Sequence, residues 1–311
     1  KKFKAINRDE VMKMKTLQGI GILMPGDMGH ACGQALIQSG FRVVTFLGGR
    51  SDRTQSLSAS AGIESLASLD DVIRQSDLIL SILPPQHAHV IATEVADMMA
   101  NIGCFPDYAD CNAISPKSVK NISELFTNLP VNFIDGGIVG FNPIKEDGRT
   151  RLYISGENLS LVSQIDGRGM VVKPVGHLIG QASTLKMIYA SATKGAFSLF
   201  AAVAVMSELV GLRQELFSEL GDSKPDILKT MLSMVPRIPL DSGRWIPEME
   251  EIADTYKQLG MTPKFHEGAK DLMQIALNTP LSAETRETLP QDFDIQEALE
   301  MYVSALGDLK S

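Results

Sequence analysis

The sequence contains few cysteines and no concentrated run of basic residues. Cys32, Cys104 and Cys111 are the three cysteines in 311 residues, and no two of them have the C-x-x-C spacing. This odd number and spacing indicate neither a disulfide framework nor a zinc knuckle, so we expect a cytoplasmic protein. The net charge is −8 and no run of five or more Lys or Arg residues occurs, so nucleic acid is not an expected partner.

The sequence also lacks an apolar run of the length that a membrane span needs. The most apolar stretch, residues 195–206, is bounded by Lys194 and Glu208. It falls short of the roughly 20 residues that a bilayer requires. We predict that it is a buried core helix and that no membrane is a partner. Residues 1–15 are charged and lack the apolar segment of a secretory signal, so export is not expected.

Length and hydrophobic pattern predict two domains. From residue 19 to about 174, short β-rich apolar runs alternate with helical periodicity, which is typical of βαβ units on a parallel sheet. After residue 180 the pattern is helical. We predict a Rossmann-type α/β domain, doubly wound and mostly parallel, over residues 1–178, and an all-α domain over residues 179–311. The predicted strands are 19–24, 42–47, 78–82, 104–109, 131–134, 152–155 and 170–173, and the predicted helices between them are 28–39, 68–75, 86–100 and 115–126.

The first strand runs into the turn Pro25-Gly26-Asp27-Met28-Gly29 and then directly into a helix. Small residues at such a turn let backbone N–H groups and a helix N-terminus approach a pyrophosphate. Gly26 and Gly29 supply the second and third glycines of G-x-G-x-x-G, and Met24 replaces the first. Because a residue before proline favours extended geometry, Met24 is not expected to need a glycine-like conformation. The context favours dinucleotide binding over an ordinary strand-to-helix turn.

The end of the second strand lacks the acid with which NAD enzymes usually bind the ribose hydroxyl. Arg50, Ser51 and Arg53 stand there instead. These side chains could bind a 2′-phosphate through charge-assisted hydrogen bonds, or they could form a solvated basic turn. We predict NADP as the cofactor, with NAD as the alternative.

Several motifs together resemble the β-hydroxyacid dehydrogenase superfamily, which contains 6-phosphogluconate and 3-hydroxyisobutyrate dehydrogenases. Residues 20–29 resemble the opening G-x-x-G-x-G-x-M-G of that family. The segment Ser81-Ile82-Leu83-Pro84 resembles its loop beside the cofactor ribose and nicotinamide, and Lys270-Asp271-Leu272 resembles its K-D-L motif, in which the lysine reaches the cofactor. The resemblance spans nearly the whole chain and implies cofactor contacts for Leu83, Pro84 and Lys270.

Two substrate-binding motifs of the superfamily are altered in this sequence. Residues 110–116 are similar to D-x-S-T-x-x-P, but the Ser-Thr pair is Asn112-Ala113. Val139-Gly140-Phe141 stands where the superfamily has its Ser-Gly-Gly cradle for the substrate carboxylate. These changes argue for a bulkier substrate than a small hydroxy acid. For Asn112 two roles stay open, a hydrogen bond to nicotinamide or substrate and the capping of loop backbone groups.

Residues 176–186 resemble the motif G-x-G-x-x-x-K, whose lysine is the general acid and base of the superfamily. That lysine is Lys186 here, while the usual asparagine four residues later is Ala190, so Tyr189 and Lys194 are candidates to replace it. The run 186–195 looks like one divergent branch with its own C-terminal domain. The i, i+4 and i+8 spacing predicts Lys186, Ala190 and Lys194 along one stripe of a helix.

A base must accept the hydroxyl proton when a hydride leaves a carbinol carbon. Burial and a second lysine would lower the pKa of Lys186 towards neutrality and suit it to that role. Without the resemblance, a snorkelling surface lysine would be the preferred interpretation. No metal site is expected, since His87 and His89 are two residues apart at a helix start and do not face each other.

The leading hypothesis is an NADP(H)-dependent oxidoreductase that acts on a hydroxyl or carbonyl carbon of a hydroxy acid or bulkier alcohol, with Lys186 as general acid and base. One alternative is reduction of an imine on the same scaffold. Another is a non-catalytic NADP(H)-binding sensor, for which Lys186 would be dispensable. The substrate is a small molecule, and the resemblance implies a homodimer formed through the helical domain.

Overall fold

A computed structural model describes residues 16–140, 142–144, 150–286 and 288–308. Phe141, predicted to replace part of the substrate cradle, lies outside the described residues. The chain divides into two compact units, which are described separately. The first comprises the described residues up to 83 together with 87–112 and 118–183, and the second comprises 84–86, 113–117 and the described residues from 184 onwards.

The first unit contains one eight-stranded sheet in the order β3-β2-β1-β4-β5-β6-β7-β8. Neighbouring strands are parallel except β6 and β7, which pair antiparallel. All residues of β1 and β4 are buried, as expected for central parallel strands that are covered on both faces. The strands are Gly19–Leu23 (β1), Arg42–Phe46 (β2), Glu64–Leu66 (β3), Leu78–Ser81 (β4), Asp107–Asp110 (β5), Phe133–Val139 (β6), Arg151–Ser155 (β7) and Val171–Gly176 (β8).

The predicted doubly wound, mostly parallel sheet is confirmed. The chain moves outward from β1 through β2 to β3 and then returns to β4 on the other side of β1. This reversal places a topological switch point at the carboxyl ends of β1 and β4, where open α/β sheets bind ligands. The helices along this part of the chain are Asp27–Gln38 (α1), Asp52–Ser60 (α2), Leu69–Arg74 (α3), Pro85–Ile102 (α4) and Pro116–Glu124 (α5), with a short 3₁₀ helix at Val162–Ile165.

One strand and one α-helix of the first unit were not predicted. Strand β3 has no buried residue, and helix α2 buries only Ser58. Neither segment therefore carries the apolar periodicity from which elements are predicted. Strand β6 was predicted to end at residue 134. It continues through Gly136, where a Cβ atom would lie 2.8 Å from Cys111 Sγ, so glycine is needed there for close packing.

The described part of the second unit is helical. Its core contains Met187, Trp245, Met249, Met273 and Tyr302, all of them buried. A π-helical turn at Ser191–Gly195 joins α6 and α7 into one continuous helical segment. The helices are Gln181–Ala190 (α6), Ala196–Leu209 (α7), Arg213–Ser223 (α8), Pro225–Met234 (α9), Ile238–Gln258 (α10), Lys264–Leu277 (α11) and Ile295–Asp308 (α12), with 3₁₀ helices at Val235–Arg237 and Pro280–Ala283.

Residues 195–206 were predicted to form a buried core helix, and they are helical but only partly buried. Ala201 and Ala204 are buried, but Leu199 is 62% exposed and Met206 is 66% exposed. An apolar composition on all sides does not tell which faces of a helix pack within its own chain. The continuous helical segment Gln181–Leu209 is longer than the run considered from the sequence, and by length and composition alone it could cross a membrane. Core helices of soluble proteins pass the same test.

Candidate active site

The turn between β1 and α1 has the form of a pyrophosphate-binding loop. Gly26 immediately precedes α1, and no described side chain caps the first N–H groups of this helix. A Cβ atom on Gly26 would find its nearest neighbour, Met24 O, only at 3.9 Å, so the loop is open at this point. A Cβ atom on Gly29 would lie 3.3 Å from Met24 O, so Gly29 allows the helix to approach the strand closely. These residues fit a dinucleotide phosphate at the positive end of the helix dipole.

Met24 adopts a left-handed backbone conformation, contrary to the prediction. Its φ is +53°, and Gly26 N donates a hydrogen bond to Met24 O over 2.6 Å. A following proline disfavours the right-handed helical region but does not forbid the left-handed one. Met24 therefore takes the backbone conformation for which the superfamily uses its first glycine.

Two of the residues predicted to bind the 2′-phosphate, Arg53 and Ser51, already make hydrogen bonds within the protein. Arg53 Nη2 lies 2.5 Å from Asp27 Oδ1, and both side chains are about half exposed. Ser51 accepts a hydrogen bond from Thr54 N over 3.3 Å and so caps helix α2. Arg53 and Asp27 thus connect the first residues of α1 and α2, on the side of the loop where a cofactor ribose is expected.

Arg50 differs from these neighbours. Its Nε atom is buried and has no hydrogen-bond partner among the described residues. The backbone turn from Leu47 to Arg50 is closed by a 3.1 Å hydrogen bond, and Gly49 within it has a φ of +71°. A buried guanidinium N–H normally has a hydrogen-bond acceptor, so the Nε–H group of Arg50 is available to donate to an anionic ligand.

Asn112 is 2% exposed and connects the ends of two parallel strands. Its Oδ1 atom accepts a hydrogen bond from Leu83 N over 2.5 Å, and its Nδ2 atom donates to Ser81 Oγ over 3.1 Å. Its own N–H donates to Asp110 Oδ1 over 3.0 Å, and burial raises the pKa of Asp110 to about 7. Asn112 thereby fixes the loop after β4 beside the switch point. Pro84, the next residue of that loop, begins the second unit.

Lys186 lies on α6 in the second unit, within a group of charged side chains. Burial lowers the pKa of its amine to about 8, and the positive charges of Lys194 and Arg244 act in the same direction. The negative charge of Glu248 opposes them. An amine whose pKa lies near neutrality can both accept and release a proton under physiological conditions.

Lys194 and Glu248 form an ion pair beneath the surface of the helical unit. The two side chains are 15% and 6% exposed, and Lys194 Nζ also lies 5.3 Å from the centre of the Trp245 ring. Burial alone would raise the pKa of Glu248, but Lys194, Lys186 and Arg244 lower it, so this carboxylate remains charged. Burial lowers the pKa of Lys194.

The π-helical turn brings the two lysines onto one face. In a regular helix, residues eight apart differ by about 80° around the axis, because each residue advances the chain by about 100°. The turn at Ser191–Gly195 accommodates one extra residue, which leaves Lys186 and Lys194 only about 20° apart. Ser191 Oγ lies 2.8 Å from both Tyr256 Oη and His266 Nε2, and these contacts hold the turn.

The residues of α10 that face these lysines were not predicted from the sequence. Asp241, Arg244, Trp245 and Glu248 follow the i, i+3, i+4 and i+7 spacing of one helix face. Asp241 accepts hydrogen bonds from Arg244 and Arg286, each over 2.6 Å. Two acids, an arginine and the single tryptophan at that spacing are a signal that the sequence does contain.

Two other predicted site residues have different surroundings. Tyr189 is 41% exposed on α6. Lys270 Nζ on α11 lies 3.5 Å from Glu250 Oε1, and the lysine is 38% exposed. Among the described residues, neither side chain makes a polar contact that would link it to the Lys194–Glu248 pair.

Comparison with known proteins agrees with the fold. An uncharacterized 28.5 kDa protein from Methanothermus fervidus is 25% identical over 205 residues, which cover 66% of this chain and 77% of that protein. The conserved protein MTH1747 of unknown function, reported to resemble 3-hydroxyacid dehydrogenases, is 24% identical with a TM-score of 0.62 and covers 83% of this chain and 98% of its own. A 3-hydroxyisobutyrate dehydrogenase from Salmonella typhimurium is 14% identical with a TM-score of 0.64, over 91% of this chain and 99% of its own. Solved imine reductases and reductive aminases share the fold with TM-scores of 0.51 and 0.52.

Family models identify the two parts of the chain. Residues 19–163 match the NAD binding domain of 6-phosphogluconate dehydrogenase, and residues 208–275 match a domain of unknown function, DUF1932. The predicted resemblance is confirmed, and the matched domain indicates a nicotinamide cofactor. The chain therefore carries an NAD-binding domain of the 6-phosphogluconate dehydrogenase type, followed by a helical region that contains a DUF1932 domain.

Proposed function

We propose that this protein is an NADP(H)-dependent oxidoreductase that transfers a hydride between the nicotinamide and a hydroxyl or carbonyl carbon. The observation that carries the proposal is the amine of Lys186, whose pKa burial lowers to about 8, in a chain with an NAD-binding domain. In oxidation Lys186 accepts the hydroxyl proton of the substrate, and in reduction it returns that proton to the carbonyl oxygen. A proton acceptor of this kind contributes about 10²- to 10⁴-fold to the rate.

The other residues bind and orient. Gly26 and the N-terminus of α1 bind the pyrophosphate, and Arg50 donates to the 2′-phosphate with support from Ser51 and Arg53. When bound, the nicotinamide supplies or accepts the hydride. Asn112 orients the loop of Leu83 and Pro84 that contacts the cofactor. The resemblance to the superfamily is what supports a substrate contact for Tyr189 and a cofactor contact for Lys270.

The substrate is a hydroxy acid or a bulkier alcohol. This part of the proposal is supported by Asn112-Ala113, which stand where the superfamily has its polar Ser-Thr pair. Imine reduction is the competing chemistry, and the shared fold of solved imine reductases favours testing it in the same experiment.

The test combines cofactor binding with a substrate screen. Thermal-shift titrations with NADPH and NADH measure cofactor preference, and the absorbance of reduced nicotinamide reports turnover of hydroxy acids, aryl alcohols and imines. We expect K186M to lose at least about 100-fold in kcat while NADPH affinity is unchanged. The exposed lysine variant K173M is the control and should retain full activity. Turnover of K186M at the normal rate, or a cofactor response with no turnover of any substrate, would favour a sensor instead.

We also propose that the protein acts in the cytoplasm as a homodimer. Its three cysteines are free, which suits a reducing compartment. Large apolar side chains are exposed along the continuous α6–α7 segment and just beyond it, and monomeric proteins rarely expose such a patch. A second copy would cover this face with the same face of its own, as two-fold symmetry requires. The exposed side chains are Ile188, Leu199, Val203, Met206, Leu209, Val210 and Leu212.

A further inference from the structure

The Lys194–Glu248 ion pair lies on the same side of the helical unit as Lys186. Both members are largely buried, and Trp245 covers Lys194 on one side. Charges that are removed from water interact over longer distances than exposed charges, because little solvent screens them. The pair therefore acts on any third ionisable group nearby.

The two members of the pair change the pKa of Lys186 in opposite directions. Lys194 lies about 20° away from Lys186 around the helix axis, because the π-helical turn removes most of their separation. Its positive charge disfavours a second positive charge at Lys186, whereas the Glu248 carboxylate on α10 favours it. The balance between them depends on a contact that the π turn and α10 together impose.

We infer that Lys194 and Glu248 are positioning residues that set how readily Lys186 takes up and releases its proton. Neither needs to touch the substrate for this role, and both act through Lys186. The inference rests on the proposed function for its biological meaning, since a tuned amine matters only if Lys186 transfers a proton. It extends that proposal by assigning a role to Glu248, which was not among the residues predicted from the sequence.

Four other titratable residues surround this site, and the variants used in the test do not change them. Arg244 on α10 is held by Asp241, which also binds Arg286. His266 on α11 contacts the π turn through Ser191, and burial lowers its pKa, so it stays neutral near physiological pH. The effect of Arg244, Asp241, Arg286 and His266 on Lys186 is therefore the same in all variants.

The test measures the pKa of Lys186 directly in the full-length protein without added cofactor. Trace labelling with acetic anhydride over the neutral to alkaline range, read by peptide mass spectrometry, gives the fraction of neutral amine at each pH. In K194M a repulsive charge is lost, so the pKa of Lys186 should rise by about one pH unit. In E248Q an attractive charge is lost, so it should fall by about one unit. The double variant K194M/E248Q should lie close to the wild type, because the two changes cancel.

Conservative and matched variants separate this role from a structural one. K194R and E248D keep both charges and should retain the wild-type value. E208Q removes the comparable partly buried pair between Glu208 and Arg213 and should leave Lys186 unchanged. If E248Q does not fold, the comparison of K194M with K194R carries the test. If Lys186 resists labelling, the difference in unfolding free energy between each variant and the same variant carrying K186M, followed over pH, isolates the titration of Lys186.

Shifts of the same sign in K194M and E248Q, or no shift in either, would overturn the inference. The outcome is independent of the proposed function. Opposite pKa shifts without turnover of any substrate would support the effect of Lys194 and Glu248 on Lys186 and would reject the proposed oxidoreductase. Turnover that depends on Lys186 without these pKa shifts would support the oxidoreductase and reject that effect.

Discussion

Asp135 Oδ2 accepts a 2.8 Å hydrogen bond from the backbone N–H of Gly180, the residue before helix α6 begins. The same carboxylate accepts from the N–H groups of Ala182 and Ser183 and from the hydroxyls of Ser155 and Ser183. Asp135 is fully buried. It satisfies helix N–H groups that would otherwise lack partners and places its negative charge at the positive end of the helix dipole. This carboxylate therefore determines where α6 begins.

Asp135→Asn should destabilise the protein strongly. The amide group would present N–H donors to N–H donors and remove the charge, at a cost of about 3 kcal/mol in the free energy of unfolding. Chemical denaturation monitored by circular dichroism measures this difference. The exposed Asp222→Asn is the control and should change stability by less than about 0.5 kcal/mol. Equal stability of the two variants would show that the capping of α6 by Asp135 contributes little.

Arg50→Ala should weaken NADPH binding about 10- to 100-fold, because one charge-assisted interaction with the 2′-phosphate is lost. NADH lacks that phosphate, so its affinity should change little. Isothermal titration calorimetry with both cofactors measures the ratio. Arg53→Ala is the matched control, and its effect should be smaller since Arg53 is held by Asp27. An equal loss for NADPH and NADH in Arg50→Ala would contradict the assignment of Arg50 to the phosphate.

Lys186→Met should be more stable than the wild type at neutral pH, with a difference that shrinks as pH rises. Below pH 8 Lys186 is protonated in both folded and unfolded chains, and its charge destabilises the folded state. Between about pH 8 and the ordinary value of 10.5 the unfolded chain binds more protons, so the wild type gains stability and its disadvantage disappears. The shift corresponds to about 3 kcal/mol at most, before any change in packing. Urea denaturation across this range tests it, and a constant difference at all pH values would refute it.

Leu199→Glu combined with Met206→Glu should convert a dimer into a monomer. Both side chains are exposed on the α6–α7 segment, and carboxylates there cannot be buried without large desolvation costs. Sedimentation velocity over a range of concentrations measures the change in mass. Val90→Glu, which alters an equally exposed apolar residue on α4, is the control and should remain dimeric. A monomeric wild-type protein would overturn the proposed assembly.

The sequence was sufficient to predict elements whose formation depends on burial of apolar residues. Strands β1 and β4 are fully buried and read as apolar runs, so they were predicted within two residues of their observed ends. Strand β3 and helix α2 were not predicted, because their residues are mostly polar and exposed. The predicted burial of residues 195–206 was wrong in part. Hydrophobic periodicity identifies an apolar helix, but it does not show whether the same chain or another molecule covers each face.

The site could be predicted only where its residues are close in sequence. The loop of Gly26 and Gly29 forms a local motif, whereas Lys194 and Glu248 are 54 residues apart and meet through packing of helices. The φ of Met24 could not be predicted, because a following proline favours extended geometry without enforcing it. Buried ion pairs of this kind become visible once the helices are placed.

The π-helical turn at Ser191–Gly195 also affects how this chain should be aligned with other proteins. A protein with a regular helix here would present its second lysine on the same face only if it stood seven positions after the first, one fewer than in this chain. A one-residue gap between the two lysines would therefore preserve their common face, while a gap-free alignment would match Lys194 with a side chain that points elsewhere. Removal of Ala192 from this chain should accordingly leave both lysines on one side, in a helix free of the bulge.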